Sequence, residues 1–166
     1  GSDCSGTAST GVITRWSYDN AGRVLTRTLP RLQAESFQYD TLGRRTQHTD
    51  FRGRTTRYTY HPDTDWLATI DYPTQADVSL AYTPGGQLRE VQDGNGTTSY
   101  VRDARNRLKH VTWPLRPGSA IAPRVSYQYD AAGNRTQLST PNQVIDYTFD
   151  ELNRLKTVKP TTSSTP

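Results

Sequence analysis

A segment built on aromatic–x–aromatic–Asp recurs seven times along this chain, four times in full and three times with one or two positions changed, and a tandem repeat narrows the possible folds more than any other feature. The copies open at Trp16-Ser-Tyr18-Asp19, Phe37-Gln-Tyr39-Asp40, Tyr58-Thr-Tyr60-His61, Leu80-Ala-Tyr82-Thr83, Tyr100-Val-Arg102-Asp103, Tyr127-Gln-Tyr129-Asp130 and Tyr147-Thr-Phe149-Asp150. The third position of the segment falls at 18, 39, 60, 82, 102, 129 and 149, in steps of 21, 21, 22, 20, 27 and 20. The one long step contains Trp113-Pro-Leu-Arg-Pro-Gly-Ser-Ala-Ile-Ala-Pro123, which reads as a loop insertion at 113–123.

Period two places both rings of a copy on one face of a strand. Three residues after the Asp position stands Gly (Gly22, Gly43, Gly86, Gly133) or Asn (Asn106, Asn153). Those residue types tolerate positive φ, so the chain is expected to reverse there. A second strand follows, marked by Leu67/Ile70, Leu88/Val91, Leu108/Val111 and Leu155/Val158. An offset of three puts such a pair on opposite faces of a regular strand, so either a bulge intervenes or both faces are partly covered. Asp50-Phe-Arg-Gly53 and Asp93-Gly-Asn-Gly96 supply second turns that close the period. Each repeat is therefore a β-hairpin. The expected fold is all-β: an antiparallel meander of seven tandem hairpins, about fourteen strands, forming a curved or spiralling sheet strip.

Composition agrees once the repeat is known. Leu, Ile, Val and Phe are too few for an ordinary globular core, a balance that usually signals disorder. Here the net charge is only +4, and 10 Tyr, 3 Trp and 3 Phe replace the missing aliphatics. Tyr18, Tyr39, Tyr60, Tyr82, Tyr129 and Phe149 are expected to pack across strands and hold the sheet. Asp19/Arg23, Asp40/Arg44, Asp103/Arg107 and Asp150/Arg154 flank the turns at a fixed separation of four. Such an Asp accepts turn N–H groups, and the Arg pairs with it or lies over a neighbouring Tyr ring. An exposed pair contributes little by itself, but a row of them pins register.

The repeated Tyr-Asp-x-x-Gly-Arg motif resembles the YD-repeat, or Rhs (rearrangement hot spot), proteins. Tyr18-Asp19-Asn-Ala-Gly22-Arg23, Tyr39-Asp40-Thr-Leu-Gly43-Arg44 and Tyr129-Asp130-Ala-Ala-Gly133-Asn134 carry the likeness best, followed by Phe149-Asp150-Glu-Leu-Asn153-Arg154. The resemblance covers residues 12 to 159. It implies a long β-strip that spirals into a hollow shell. In bacterial polymorphic toxins and insecticidal toxin complexes such shells enclose a toxic C-terminal polypeptide, and the animal teneurins use a related shell for cell adhesion. Seven repeats are fewer than a closed shell needs, so the chain is expected to be a stretch of shell wall, secreted or at the cell surface as part of a larger protein. The partners so implied are neighbouring repeats and the enclosed toxin. The Asp-Pro-x-Gly-Leu-type boundary motif that supplies the family's self-cleaving carboxylates is absent, so no protease is carried over.

Within these bounds, residues 1–11 read as a tag scar (Gly1-Ser2) and flexible segment, 12–159 as the array, and 160–166 as a polar tail. The lone Cys4 allows no intrachain disulfide. His48, His61 and His110 lie in different repeats with no triad or metal spacing. The turns at His61–Asp65 and Asp93–Gly96 read as turn chemistry rather than cation sites. No catalytic residue, cofactor or metal is expected. No apolar run is long enough to span a membrane. The sequence pI of about 9.3 raises nucleic acid, but the Arg residues are dispersed and often opposite an Asp, which argues against it. Rows of rings beside Asp, Asn and Arg leave glycan binding as the alternative function. The strips near 12–18 and 155–159 are expected as unpaired edges open to self-association.

Overall fold

The structure, a computed structural model, describes residues 13–162. The expected scar and flexible segment at 1–11, with Cys4, and residues 163–166 of the expected tail lie outside the described residues. Fourteen strands and no helix are found among the described residues. The chain divides into two compact units, the first ending at Ala76 and the second beginning at Asp77.

In the first unit, β1 (Arg15–Tyr18) and β2 (Val24–Thr28) form one hairpin, β3 (Ala34–Tyr39) and β4 (Arg45–Thr49) the next, and β5 (Thr55–Tyr60) and β6 (Leu67–Asp71) the third. The second unit holds β7 (Val78–Tyr82) with β8 (Leu88–Asp93), β9 (Gly96–Arg102) with β10 (Leu108–Thr112), β11 (Arg124–Tyr129) with β12 (Arg135–Ser139), and β13 (Gln143–Phe149) with β14 (Leu155–Thr162). Strand order equals chain order within each unit, and the pairings are antiparallel. This is the meander of hairpins that the repeat predicts.

The offset of three between the apolar residues is resolved by a bulge. In the third hairpin Tyr58 faces Ile70 and Tyr60 faces Leu67, with the register shifting between Thr59 and Tyr60. The same shift occurs at Ser17/Tyr18, Gln38/Tyr39, Ala81/Tyr82, Gln128/Tyr129 and Thr148/Phe149. One extra residue on the returning strand lets both members of an offset-three pair face the two rings, and it sharpens the local twist.

Alternation then sorts the side chains. One face carries the rings and their aliphatic partners. The residue between the rings points to the other face and meets a polar partner across the hairpin. Ser17 Oγ lies 2.6 Å from Thr26 Oγ1, Thr59 Oγ1 2.6 Å from Thr69 Oγ1, and Thr148 Oγ1 2.7 Å from Thr157 Oγ1. Gln128 Nε2 donates to Gln137 Oε1 at 2.9 Å, and Gln137 Nε2 donates onward to Asp146 Oδ1 at 2.9 Å. Only Val111 (5% exposed) and Glu35 (8%) are buried among the described residues, so the core is a half-covered stripe of rings rather than a ball.

Two further details refine the sequence reading. Trp113 N–H donates to Pro123 O at 2.9 Å, closing the 113–123 insertion as a loop between β10 and β11. At the other end β14 continues past the expected boundary at 159: Pro160, Thr161 and Thr162 pair with Ile145, Val144 and Gln143. Those residues are strand, not tail.

Candidate functional site

The repeated Asp–x–x–Gly–Arg turn builds one arrangement many times. In the first hairpin Asp19 Oδ1 accepts the N–H groups of Ala21 and Arg23, both at 2.9 Å, and Oδ2 accepts Arg23 Nε–H at 2.6 Å. Gly22, at φ 79°, donates its N–H to Asp19 O at 3.0 Å. The carboxylate thus caps the turn with one oxygen and holds the guanidinium with the other. Asp40/Gly43/Arg44, Asp103/Asn106/Arg107 and Asp150/Asn153/Arg154 repeat the clip, with Oδ2 to Nε at 2.7, 2.8 and 2.7 Å. Asn106 and Asn153 sit at φ 64° and 59°, where the other copies place Gly. In the sixth copy Asn134 Nδ2 replaces the guanidinium, donating to Asp130 Oδ2 at 3.0 Å, beside Gly133 at φ 99°. In the fourth, Thr83 and Gln87 keep a reduced version around Gly86, with Thr83 Oγ1 donating to Gln87 Oε1 at 2.5 Å.

Three of the clips, those of Arg23, Arg44 and Arg107, also reach the following repeat. The Arg23 guanidinium lies 4.8 Å from the centre of the Tyr39 ring, Arg44 4.5 Å from Tyr60, and Arg107 4.5 Å from Tyr129. The same three Tyr hydroxyls donate to carbonyls just after the clip: Tyr39 to Val24 at 3.0 Å, Tyr60 to Arg45 at 2.8 Å, and Tyr129 to Leu108 at 2.9 Å. Pairing with Asp and stacking on Tyr, offered by the sequence as alternatives, occur together. The guanidinium is a wedge between the carboxylate of one hairpin and the ring of the next. In the sixth copy, which has Asn134 in place of Arg, the following ring is Phe149, and Asn134 Nδ2 reaches Asn153 Oδ1 at 2.8 Å instead. Tyr18 and Arg154 stand at the ends of this series; Tyr18 is 56% exposed and the Arg154 side chain 73%. Tyr82 follows the enlarged His61 turn, where His61 N–H donates to Trp66 O at 2.9 Å.

The carboxyls of these clips are held below their ordinary values, so they carry their charge near neutrality. Side-chain hydrogen bonding to Arg107 holds the Asp103 carboxyl below its ordinary value, and the Arg154 and Arg23 backbone N–H groups do the same for Asp150 and Asp19. At Asp40 desolvation pushes upward, but the combined bonds from Arg44 and Leu42 outweigh it. Asp130 is lowered chiefly by the Asn134 amide. Carboxylates already committed to three donors are poor proton donors near neutrality, so the array is a set of fasteners rather than acid–base groups.

Two parts of the arrangement were not singled out from the sequence. Asp50 and Arg54 form a full clip on a turn between hairpins, with Arg54 Nε to Asp50 Oδ2 at 2.8 Å and the Asp50 carboxyl lowered to about 2 by that bond. The signal was present, since residues 50–54 read Asp-Phe-Arg-Gly-Arg. Arg27, Glu35 and His48 form a polar cluster on the ring-bearing face. Glu35 Oε1 lies 2.5 Å from Arg27 Nε and Oε2 3.1 Å from His48 Nε2, while His48 stacks on Phe37 with centroids 4.8 Å apart. Register alone reveals this contact, because Arg27 opposes Glu35 and His48 opposes Phe37.

The described residues contain no group of three or more His, Cys, Asp or Glu placed to hold a metal ion. Asp65 of the enlarged third turn meets Arg44 at 3.3 Å, and Asp93 Oδ1 accepts Asn95 N–H at 2.8 Å. No helix among the described residues is long and apolar enough to cross a membrane.

Comparison with known proteins adds the family. No curated protein matches the chain significantly. Among solved structures, TcdB2-TccC3 without its hypervariable C-terminal region matches with TM-score 0.69 and 20% identity, over 87% of this chain and 9% of that one. The TcdB2-TccC3-Cdc42 structure matches with TM-score 0.68 and 21% identity, over 87% and 9%. The Photorhabdus luminescens Tc holotoxin pore with a mutated TccC3 matches with TM-score 0.69 and 20% identity, again over 87% and 9%. At these identities the likeness is one of fold, and the chain spans about 9% of the length of each of those chains. The family model described as the teneurin YD-shell matches residues 7–165, nearly the whole chain. With that match and the clip repeated through both units, this chain belongs to the teneurin YD-shell family.

Proposed function

We propose that this chain is a non-catalytic stretch of wall in a YD-repeat β-shell that encloses a toxin polypeptide for delivery, secreted or at the cell surface as part of a larger protein. The observation that carries this reading is the wedge from the Arg23, Arg44 and Arg107 clips to the ring of the next hairpin, within a chain of YD-shell type. It fastens repeat to repeat and leaves its acids and bases spent on structure. The same chemistry suits a wall that must stay closed around a cargo. The partners are then neighbouring repeats, joined through the outer edges of β1 and β14, and the cargo itself. With those edges free, copies of the chain pair with one another.

The test uses the full parent polypeptide. Arg44→Ala with Tyr60→Ala, which removes one wedge from both sides, is expected to expose an enclosed segment to added protease while the unaltered protein shields it. Equal shielding in both, or no shielded segment in the unaltered protein, contradicts the proposal.

A further inference from the structure

The insertion at 113–123 is the one break in the period, and a per-repeat insertion in an array collects on one side, where binding surfaces form. Here it encloses a cleft of about 660 Å³ against the turn between β8 and β9, lined by Gly94, Asn95, Trp113, Leu115, Arg116 and the prolines around them. That volume is in the range of small-ligand sites, roughly 300–1,000 Å³.

We propose that this cleft binds an acidic saccharide, with Trp113 as the stacking platform, Arg116 facing the carboxylate or sulfate, and the Asn95 amide meeting ring hydroxyls. The site is independent of the shell reading. Four observations support it. Trp113 is 39% exposed, and among the described residues no guanidinium lies over its ring, whereas Tyr39, Tyr60 and Tyr129 are each covered by an Arg. Glycan binding by the sheet's ring rows, raised by the sequence, is therefore better placed at this loop. Arg116 is the sole charged residue of the lining, and no carboxylate offsets it there. Asn95 is held in place, since its N–H is tied to Asp93 Oδ1 at 2.8 Å.

Last, the cleft is preformed. Pro114, Pro117 and Pro123 restrict the loop, the Trp113-to-Pro123 bond at 2.9 Å shuts its base, and Pro114 packs so closely on Gly96 (φ 119°) that a Cβ there would lie 2.9 Å from it. A rigid site costs little ordering on binding, which matters for a weakly held sugar. A ring face, a planar amide and one guanidinium suit an acidic pyranose. A bound peptide strand would need a free row of backbone donors, which a proline-braced loop does not offer.

The experiment titrates the whole chain with 3′-sialyllactose, a hyaluronan hexasaccharide and a chondroitin sulfate hexasaccharide. Lactose serves as the neutral control and poly-glutamate as the acidic peptide control. Saturable binding of at least one acidic saccharide is expected, weakened tenfold or more by Trp113→Ala and largely retained by Trp113→Phe. Arg116→Gln is expected to reduce binding to the level of lactose. Far-UV circular dichroism checks that each variant folds; should Trp113→Ala fail to, Arg116→Gln and Asn95→Ala decide. No binding of any of the three saccharides, binding unchanged in the folded variants, or equal affinity for poly-glutamate overturns the proposal.

Discussion

At the scale of the residue, this chain concentrates its chemistry in aspartates whose carboxylates are tied up by turn N–H groups and guanidiniums. Their carboxyls are held below the unfolded value of about 3.9, and Asp50 falls to about 2. A depressed carboxyl contributes stability above its unfolded pKa and loses it as pH falls through the folded value. Thermal melting points should therefore drop steeply below about pH 4 and continue falling toward pH 2. His110 adds a separate step. Burial, with Arg124 and Lys109 nearby, pushes its imidazole below the ordinary value. A base so lowered stabilises the fold above its unfolded pKa of about 6.5 and ceases to do so as pH falls below it. The melting-point difference between the natural chain and His110→Gln should shift against the natural chain between pH 7.5 and 5.5; a shift in its favour contradicts that placement.

At the scale of the element, the turn glycines are not equivalent. Gly43 sits at φ 84°, and a Cβ built there lies 3.1 Å from Arg23 Nη1, the guanidinium stacked on Tyr39. Gly133 sits at φ 99° with nothing within 4 Å. Gly133→Ala should cost only the left-handed strain, about 1 kcal/mol, and Gly43→Ala distinctly more, because it also dislodges the wedge. Chemical denaturation of both variants compares them directly. The Arg27–Glu35–His48 cluster makes a second contrast. Its positions are apolar in two pairs of the second unit, Val111/Val125 and Leu138/Ile145, while the third is Val91/Thr98. Glu35→Ala should destabilise by about 1–3 kcal/mol, since it strands Arg27 and His48. Replacing all three by Val should be close to neutral, because Glu35 is the one buried charge among them and hydrocarbon at that position removes its desolvation cost.

Legibility divides along the same line. The hairpins could be read because ring spacing and turn residues are local. Leu32, at φ 63° in a turn with neither Gly nor Asn, is the kind of turn such reading passes over. The bulge and the Glu35 cluster depend on which residues face each other across strands, and the period alone does not fix that. The wedge was half legible: both partners of Arg23 were foreseeable, but not their simultaneous engagement.

At the scale of the molecule, the fourteen strands of the described residues stand with almost no fully enclosed side chain among them. Stability in such an array is the sum of weak hairpins and the interfaces between them, so the interfaces decide whether it acts as one body or as separate pieces. A cation–π contact contributes about 0.5–1 kcal/mol, small singly but repeated along the strip. It also explains how a chain so poor in aliphatic residues remains folded. The length and family likeness were legible because the motif recurs in phase. The cleft at Trp113 was not, because the sequence showed only an irregular step of 27 residues.

Native-state hydrogen exchange on Arg44→Gln tests the coupling between repeats most directly. A clip that served only its own turn would leave β5 and β6 untouched. A wedge that joins hairpins predicts several-fold faster exchange in β5 and β6, around Tyr60, as well as at the Asp40 turn. Unchanged protection in β5 and β6 would contradict the account.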